Sequence, residues 1–587
     1  MDEPRIRRPA ARPARRDARA GALVAAAALA LVAACSKGPE PGAAPPAASA
    51  PAASQAPAAT PYGSVGEPSS APADGGVAWR RPHGEAEVDA LFAEARERRQ
   101  PVFLYWGAAW CPPCNQVKAT LFTRPDFIER SRAFVPVYLD GDLPGAQKLG
   151  ERFRVRGYPT MVLLRPDGSE LTRLPGEVDA ERYLQVMALG LEGSRPVREV
   201  LAQARRAPGT LGAEDWRRLA YYSWDTDEQQ LLPQAELAAT LQRLAADCPR
   251  EQAEAGTRLL LKALAARAEA EASTPRRPSR AAVDTAARER LLEVLADDAL
   301  ARRNLDLVTV LAGPLSRALA APGTPEQEQL VATWGAALDR LTADARLSQG
   351  DRIAALAARV ELARAEASLG GAAGAEVATP LGPVLLEHVR AQVARADREV
   401  TDPVERQSVI PDAADVLAEA GLGEESDRLL EAELKRSIAP YYAMLGLAAN
   451  AKGRGDRAGA LAWYERAYAA AQGPATRVQW GGSYVNALVE LAPHDAPRIE
   501  AAARQVLDEL RSQPDAFYAR SLARLEKMSR ALLAWGRDGA PPERRAEVLG
   551  RLRAQRDALC AALPAADPQR AACRGLLAGA AAPRPHA

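Results

Sequence analysis

Two cysteines separated by two residues, Cys111 and Cys114, stand in the run Trp110-Cys111-Pro112-Pro113-Cys114, and no other stretch of the chain specifies a reaction by residue order alone. Ahead of them, Pro101-Val102-Phe103-Leu104-Tyr105-Trp106 has the β-branched and aromatic content of a buried strand, and behind them Asn115 to Phe122 reads as the opening of a helix. Two sulfurs so spaced at a helix start can close a small disulfide, and the first faces the positive end of the helix dipole, which favours thiolate over thiol. Cys111 is the candidate nucleophile. The chemistry is thiol–disulfide exchange, in which the Cys111 thiolate attacks a disulfide and Cys114 resolves the mixed disulfide. Pro112 and Pro113, the active-site turn, carry no backbone N–H, and no histidine stands between the cysteines, so the thiolate is less stabilised and the couple more reducing. This reading expects the Cys111 sulfur to be exposed.

The arrangement resembles the thioredoxin superfamily, and the likeness extends past the cysteines. Arg156-Gly157-Tyr158-Pro159-Thr160-Met161-Val162-Leu163-Leu164 is similar to that family's segment in which a proline precedes a strand. The resemblance implies a cis bond before Pro159, packing of Pro159 beside the disulfide, and pairing of the Tyr158 backbone with substrate; Trp110, Tyr158 and Pro159 are then the substrate-binding residues. Cys-Pro-Pro-Cys also resembles membrane-tethered reductases that keep cytochrome c precursors or other exported thiols reduced, which implies a reductase or isomerase rather than a strong oxidant. The implied partners are protein thiols and disulfides and an upstream redox donor or acceptor protein, with no cofactor. Two positions depart from thioredoxin. The buried aspartate that assists its resolving cysteine would fall at Tyr105, and Gly107-Ala108-Ala109 replaces the usual bulkier approach to the tryptophan.

The elements that must position this site run from Trp79 to about Gly193. Glu85 to Arg99 is amphipathic, with Val88, Leu91, Phe92 and Ala95 on one face. Val135 to Leu139 is a second strand, Gly145 to Phe153 a helix, Thr160 to Leu164 a third strand, and Pro166-Asp167-Gly168 a turn into Glu170 to Leu174. Val178 to Leu191 closes the unit as a helix. The expected fold is an α/β thioredoxin-like domain over 78–193, followed over 194–587 by an all-α solenoid of helical hairpins.

That second region is Ala, Leu, Arg and Glu at helical spacing, broken at Ser273 to Ser279, Gly370 to Pro380 and around Pro493. Leu522, Leu525, Met528, Leu532 and Trp535 trace one core face. Gly421, Ser426, Leu430 and Pro440 recur as Gly455, Ala460, Tyr464 and Pro474, a period of about 34 residues. With Leu447, Ala448 and Ala467, this resembles two tetratricopeptide units, clearest over 407–474, and implies a surface for a protein partner.

At 587 residues with a net charge of +1, the chain has room for several modules and offers no electrostatic case for nucleic acid. His83, His388, His494 and His586 lack zinc-site spacing, so no metal is expected. Residues 1–35 read as an export signal, arginine-rich and then apolar from Gly21 to Ala34, too short to span a bilayer. Its end, Leu31-Val32-Ala33-Ala34-Cys35-Ser36, resembles the lipobox of bacterial lipoproteins, which implies lipidation of Cys35, a membrane anchor and a periplasm-facing site in the bacterial envelope; ordinary cleavage after Ala34 and an uncleaved anchor are the alternatives. Residues 36–77 are rich in Pro, Ala, Ser and Gly and form a disordered tether. Cys560 and Cys573 flank Pro564 and Pro568, where a hairpin would pair them as a structural disulfide, with free buried thiols as the alternative. Cys248 is left over as an inert buried thiol. Two functions fit: a tethered thiol–disulfide oxidoreductase whose helical domain recruits clients, or an interaction protein with a redox-sensitive docking module and little turnover.

Overall fold

The computed structural model describes residues 76–155, 157–174, 180–192, 195–272, 284–370, 381–537 and 542–578. The export signal, Cys35, nearly all of the tether, the break at Ser273 to Ser279 and His586 lie outside the described residues.

Four strands, β1 (Val102–Gly107), β2 (Val135–Asp140), β3 (Thr160–Leu164) and β4 (Glu170–Arg173), form a mixed sheet in the order β2-β1-β3-β4. β1 runs parallel to β2 and antiparallel to β3, with Leu104 opposite Val137 on one side and Val162 on the other. The β1 run is apolar throughout because both faces of the strand are buried. Phe103 and Tyr105 enter one core with Met161 and Leu163; Val102, Leu104 and Trp106 enter the opposite one with Val162 and Leu164. Helices α1 (Glu85–Arg98) and α4 (Ala146–Arg152) close the second face through Val88, Phe92, Ala95 and Leu149. α2 (Pro112–Thr120), α3 (Pro125–Arg130) and α5 (Ala180–Glu192) close the first. α3 has no counterpart in the sequence reading; a proline at its first position starts it and Phe127 buries it.

The sheet's outer edge is covered. Arg173 of β4, 1% exposed, donates to the Thr226 carbonyl at 2.9 Å while its own carbonyl accepts from the Ser223 N–H at 3.0 Å, so the helical region begins by sealing that edge. Among the described residues, all regular structure after Arg173 is helical. Helices Pro403–Glu419 and Gly423–Glu433, Pro440–Gly453 and Arg457–Ala470, and Pro474–Leu491 and Ala496–Glu509 form successive hairpins. The residues of the 34-residue period sit where the backbone demands them: Gly421 (φ 85°) and Gly455 (φ 78°) turn within hairpins, and Pro440 and Pro474 open helices. The array does not lead away from the α/β domain but wraps back onto it, with the Pro403–Glu419 helix packed against α2 and the Ala519–Arg537 helix against α4. Cys560 and Cys573 form a disulfide between the last two helices, with Cα atoms 5.7 Å apart. Cys248 is half-buried, its thiol pushed up to about 11 by burial and donating weakly to the Gln252 carbonyl.

Candidate functional site

β1 ends at Gly107, three residues further on the chain turns, and Cys111 becomes the N-cap of α2 in an extended conformation with Pro112 at the first helical position. The turn is pinned by Asn115, whose side-chain amide donates to the Ala109 carbonyl at 2.7 Å. Cys111 and Cys114 are joined as a disulfide with Cα atoms 5.2 Å apart, and the Cys114 N–H points at the Cys111 sulfur at 3.3 Å. That N–H is the first backbone donor the two prolines leave in the turn of the helix.

The Tyr158–Pro159 peptide bond is cis, and the Tyr158 ring lies 6.3 Å from that of Trp110. Gly141 lets the Tyr158 hydroxyl in, since a Cβ there would overlap it, and the Gln147 amide donates to that hydroxyl at 3.2 Å. Tyr105 stands under the disulfide, its hydroxyl donating to the Cys114 carbonyl at 3.3 Å. Burial holds its phenol well above the ordinary range, so it keeps its proton and is no acceptor for the Cys114 thiol.

The expectation of an exposed nucleophile is corrected: Cys111 is 2% exposed, Cys114 0% and Trp110 7%. The helical array supplies the cover. Gln407 donates to the Trp110 carbonyl at 3.0 Å, and the Trp110 indole N–H donates to the Thr476 hydroxyl at 2.7 Å. Trp480 meets the Trp110 ring edge-on at 4.9 Å, Tyr442 stacks beside it at 6.1 Å, and the Arg520 guanidinium lies 5.3 Å from the same ring and 4.9 Å from that of Tyr158. Gln116 on α2 donates to Asp351 at 2.7 Å. Trp110, the Tyr158 ring and α2 thus all contact the array.

Carboxylates lock the two parts together by capping each other's helices. Asp142, in the loop after β2, accepts from the Thr476 N–H at 2.7 Å and from its hydroxyl at 2.6 Å, in the first turn of Pro474–Leu491. In return, Asp515 of the array accepts from the Gln147 N–H at 2.7 Å in α4, and Glu151 of α4 accepts from the Ala519 N–H at 3.3 Å, where the Ala519–Arg537 helix begins. Burial, reinforced by Asp140, pushes Asp142 up to about 7 against the lowering effect of its Thr476 hydrogen bonds.

Sequence reasoning picked out the residues from 110 to 114 and at 158–159, which the fold brings together, and missed Asp142, Gln407, Tyr442, Thr476, Trp480 and Arg520. The one available signal was the concentration of aromatics between 441 and 484, where Tyr441, Tyr442, Trp463, Tyr464, Tyr468, Trp480 and Tyr484 fall in a helical region otherwise dominated by Ala, Leu, Arg and Glu. Among the described residues no helix is long and apolar enough to cross a membrane.

A mixed sheet with a Cys-x-x-Cys disulfide at the start of α2 and a cis-proline loop beside it defines a thioredoxin-like disulfide-oxidoreductase domain. Comparison with known proteins agrees: the thioredoxin-like domain family matches residues 88–190. The thiol:disulfide interchange protein DsbD of Pseudomonas fluorescens is 36% identical over 104 residues, which are 17% of this chain and 18% of that protein. A thioredoxin H-type of Oryza sativa subsp. indica is 30% identical over 95 residues, 16% of this chain and 72% of that protein, and thioredoxin H5 of Arabidopsis thaliana is 28% identical over 117 residues, 18% and 93%. The chain belongs to the thioredoxin superfamily. It spans less than a fifth of the length of the interchange protein from P. fluorescens.

Proposed function

We propose that the protein is a thiol–disulfide oxidoreductase, a reductase or isomerase of exported protein thiols, tethered to the bacterial envelope through a lipid on Cys35 and facing the periplasm. The observation that carries the reading is the Cys111–Cys114 disulfide at the N-terminus of α2 beside the cis Tyr158–Pro159 bond. In the reductive direction the Cys111 thiolate attacks one sulfur of a client disulfide, forming a Cys111–client bond and expelling the other client sulfur as a thiolate, which takes up a proton. The Cys114 thiol then loses its proton and attacks the Cys111 sulfur, releasing the second client thiolate. The client has gained two electrons and two protons, and a donor dithiol protein must return the enzyme to its reduced form. On this reading Trp110, Tyr158 and Pro159 contact the client, Cys560–Cys573 is a structural disulfide, and the tetratricopeptide-like hairpins hold the client or a redox partner.

The test is insulin reduction by the full chain together with trapping of clients by Cys114→Ala. An enzyme reduces insulin, loses that activity with Cys111→Ala, and accumulates mixed disulfides through Cys111 when Cys114 is replaced. No reduction and no trapped adduct would overturn the reading. A second reading has an observation of its own: both sulfurs lie under the array. In it the α/β domain is a redox-sensitive docking module, and reduction loosens its contact with the array without turnover.

A further inference from the structure

The Ala519–Arg537 helix sets Arg520, Arg524 and Lys527 along one face, at the four- and three-residue steps that align side chains. They lead outward from the redox site. Arg520 lies deepest, over the rings of Trp110 and Tyr158, and is aimed there by Gln479, whose side-chain oxygen accepts from its Nε at 2.9 Å and from a terminal nitrogen at 2.7 Å. Arg524 is one turn out and half-buried. Burial and the repulsion of Arg520 lower its guanidinium to about 10, and Tyr158 is the group that acts in the opposite direction. No carboxylate oxygen among the described residues lies within ion-pair distance of Arg524. Lys527, the next turn, is exposed. Asp142 acts on Arg520 from across the interface, but with its carboxyl pushed up to about 7 it carries only part of a charge near neutrality. Positive charges packed one turn apart repel each other, and a guanidinium fork beside a reacting centre is suited to a carboxylate.

We propose that this basic track selects substrates: the disulfides that reach Cys111 carry carboxylate groups next to the reacting sulfur, which Arg520 and Arg524 engage while the substrate backbone meets Tyr158. The inference rests on the oxidoreductase reading of Cys111 and Cys114 and names the chemical class of that site's substrate. Arg520 and Arg524 are specificity-determining residues, and the array is the second wall of the substrate cleft.

The test is a single turnover of the pre-reduced full chain with two small disulfides, oxidised glutathione, whose halves each carry two carboxylates, and cystamine, which carries amines and none. In each reaction the Cys111 and Cys114 thiols give up two electrons and two protons, and the added disulfide becomes two thiols. Loss of the protein thiols is followed by quenched alkylation and mass shift, and each rate is divided by that of free dithiothreitol with the same disulfide. At low ionic strength the normalised preference for glutathione disulfide over cystamine is expected to be roughly tenfold, the scale on which a focused charge raises encounter rates. Arg524→Gln should bring the ratio close to one, Arg524→Lys should retain most of it, and salt should erode it in the wild type. Should Arg524→Gln lose its helical circular dichroism, exposed Lys527→Gln provides the same comparison with a smaller drop. An unchanged ratio in these variants, or equal slowing of both disulfides, would overturn the anion preference and leave the oxidoreductase reading standing. If neither disulfide reoxidises the protein, that reading falls and the inference falls with it.

Discussion

Asp142 holds the helix Pro474–Leu491 by its N-terminus, and through Thr476 it holds the indole of Trp110 as well. Hydrogen bonds from a helix start favour its charged form, yet burial outweighs them and leaves the carboxyl near 7. A raised acid favours the docked state most when protonated: its contribution is complete below the ordinary carboxylate range and is lost as pH rises through about 7. The contact between the α/β domain and the array should therefore loosen from pH 6 to pH 8. Asp142→Asn keeps an acceptor for the Thr476 N–H, can donate to the hydroxyl, and does not titrate. Measured by differential scanning calorimetry, the wild type should lose about 1–2 °C relative to Asp142→Asn across that interval. Lys262, which burial lowers to about 7, contributes in the opposite sense in both proteins and so cancels from the comparison. A difference that stays flat with pH would show that Asp142 does not titrate in the docked state.

At the scale of elements, what could be read in advance depended on how local the cause was. β1 was legible because a strand buried on both faces is apolar at every position from Val102 to Trp106, and the start of α2 because prolines at its first positions leave few alternatives. The hairpins over 403–470 were legible because left-handed turns require residues such as Gly421 and Gly455 at a fixed interval. α3, only six residues long, was missed because so short an element shows no periodicity. Gly473 carries a cause that is not local: its φ is 87°, and a Cβ there would run into the Asp142 carboxylate more than 300 residues earlier in the chain. With ψ at 142° Gly473 lies outside the left-handed helical region, toward backbone that only glycine populates, so Gly473→Ala should cost about 1–3 kcal/mol from backbone strain alone, with faster hydrogen exchange at the first turn of Pro474–Leu491. Exchange unchanged there would mean that the backbone absorbs the methyl group without giving up the cap. The C-terminal staple is a separate unit. With its cysteines 13 positions apart, replacing both Cys560 and Cys573 by alanine should cost about 3 kcal/mol, seen as lost protection confined to the helices Pro542–Ala562 and Gln569–Gly575.

For the molecule as a whole, the governing fact is that the array closes over a disulfide whose first sulfur was expected to be exposed. Its contacts join residues 297 and 366 positions apart in the chain, Trp110 with Gln407 and with Thr476, and no period or composition announces pairings of that kind. If the dithiol turns over, the cover must open, and the rate at which Cys111 meets a reagent measures the open fraction. Gln407→Ala removes one hydrogen bond to Trp110, and Thr476→Val removes another together with the hydroxyl's bond to Asp142, neither touching the sulfurs. At about 1 kcal/mol per bond, the pair should shift the opening equilibrium by about 3 kcal/mol, on the order of a hundredfold. Alkylation of Cys111 should accelerate by that order in a Cys114→Ala background, read by peptide mass spectrometry so that Cys248 is scored separately. The single variants should fall between, and Gln407→Glu, which replaces the donor with a carboxylate facing a carbonyl, should open the contact at least as far as Gln407→Ala. A wild-type Cys111 that already reacts as fast as free cysteine, or a double variant no faster than its parent, would show that the array does not limit access. Substrate choice would then rest with the α/β domain alone.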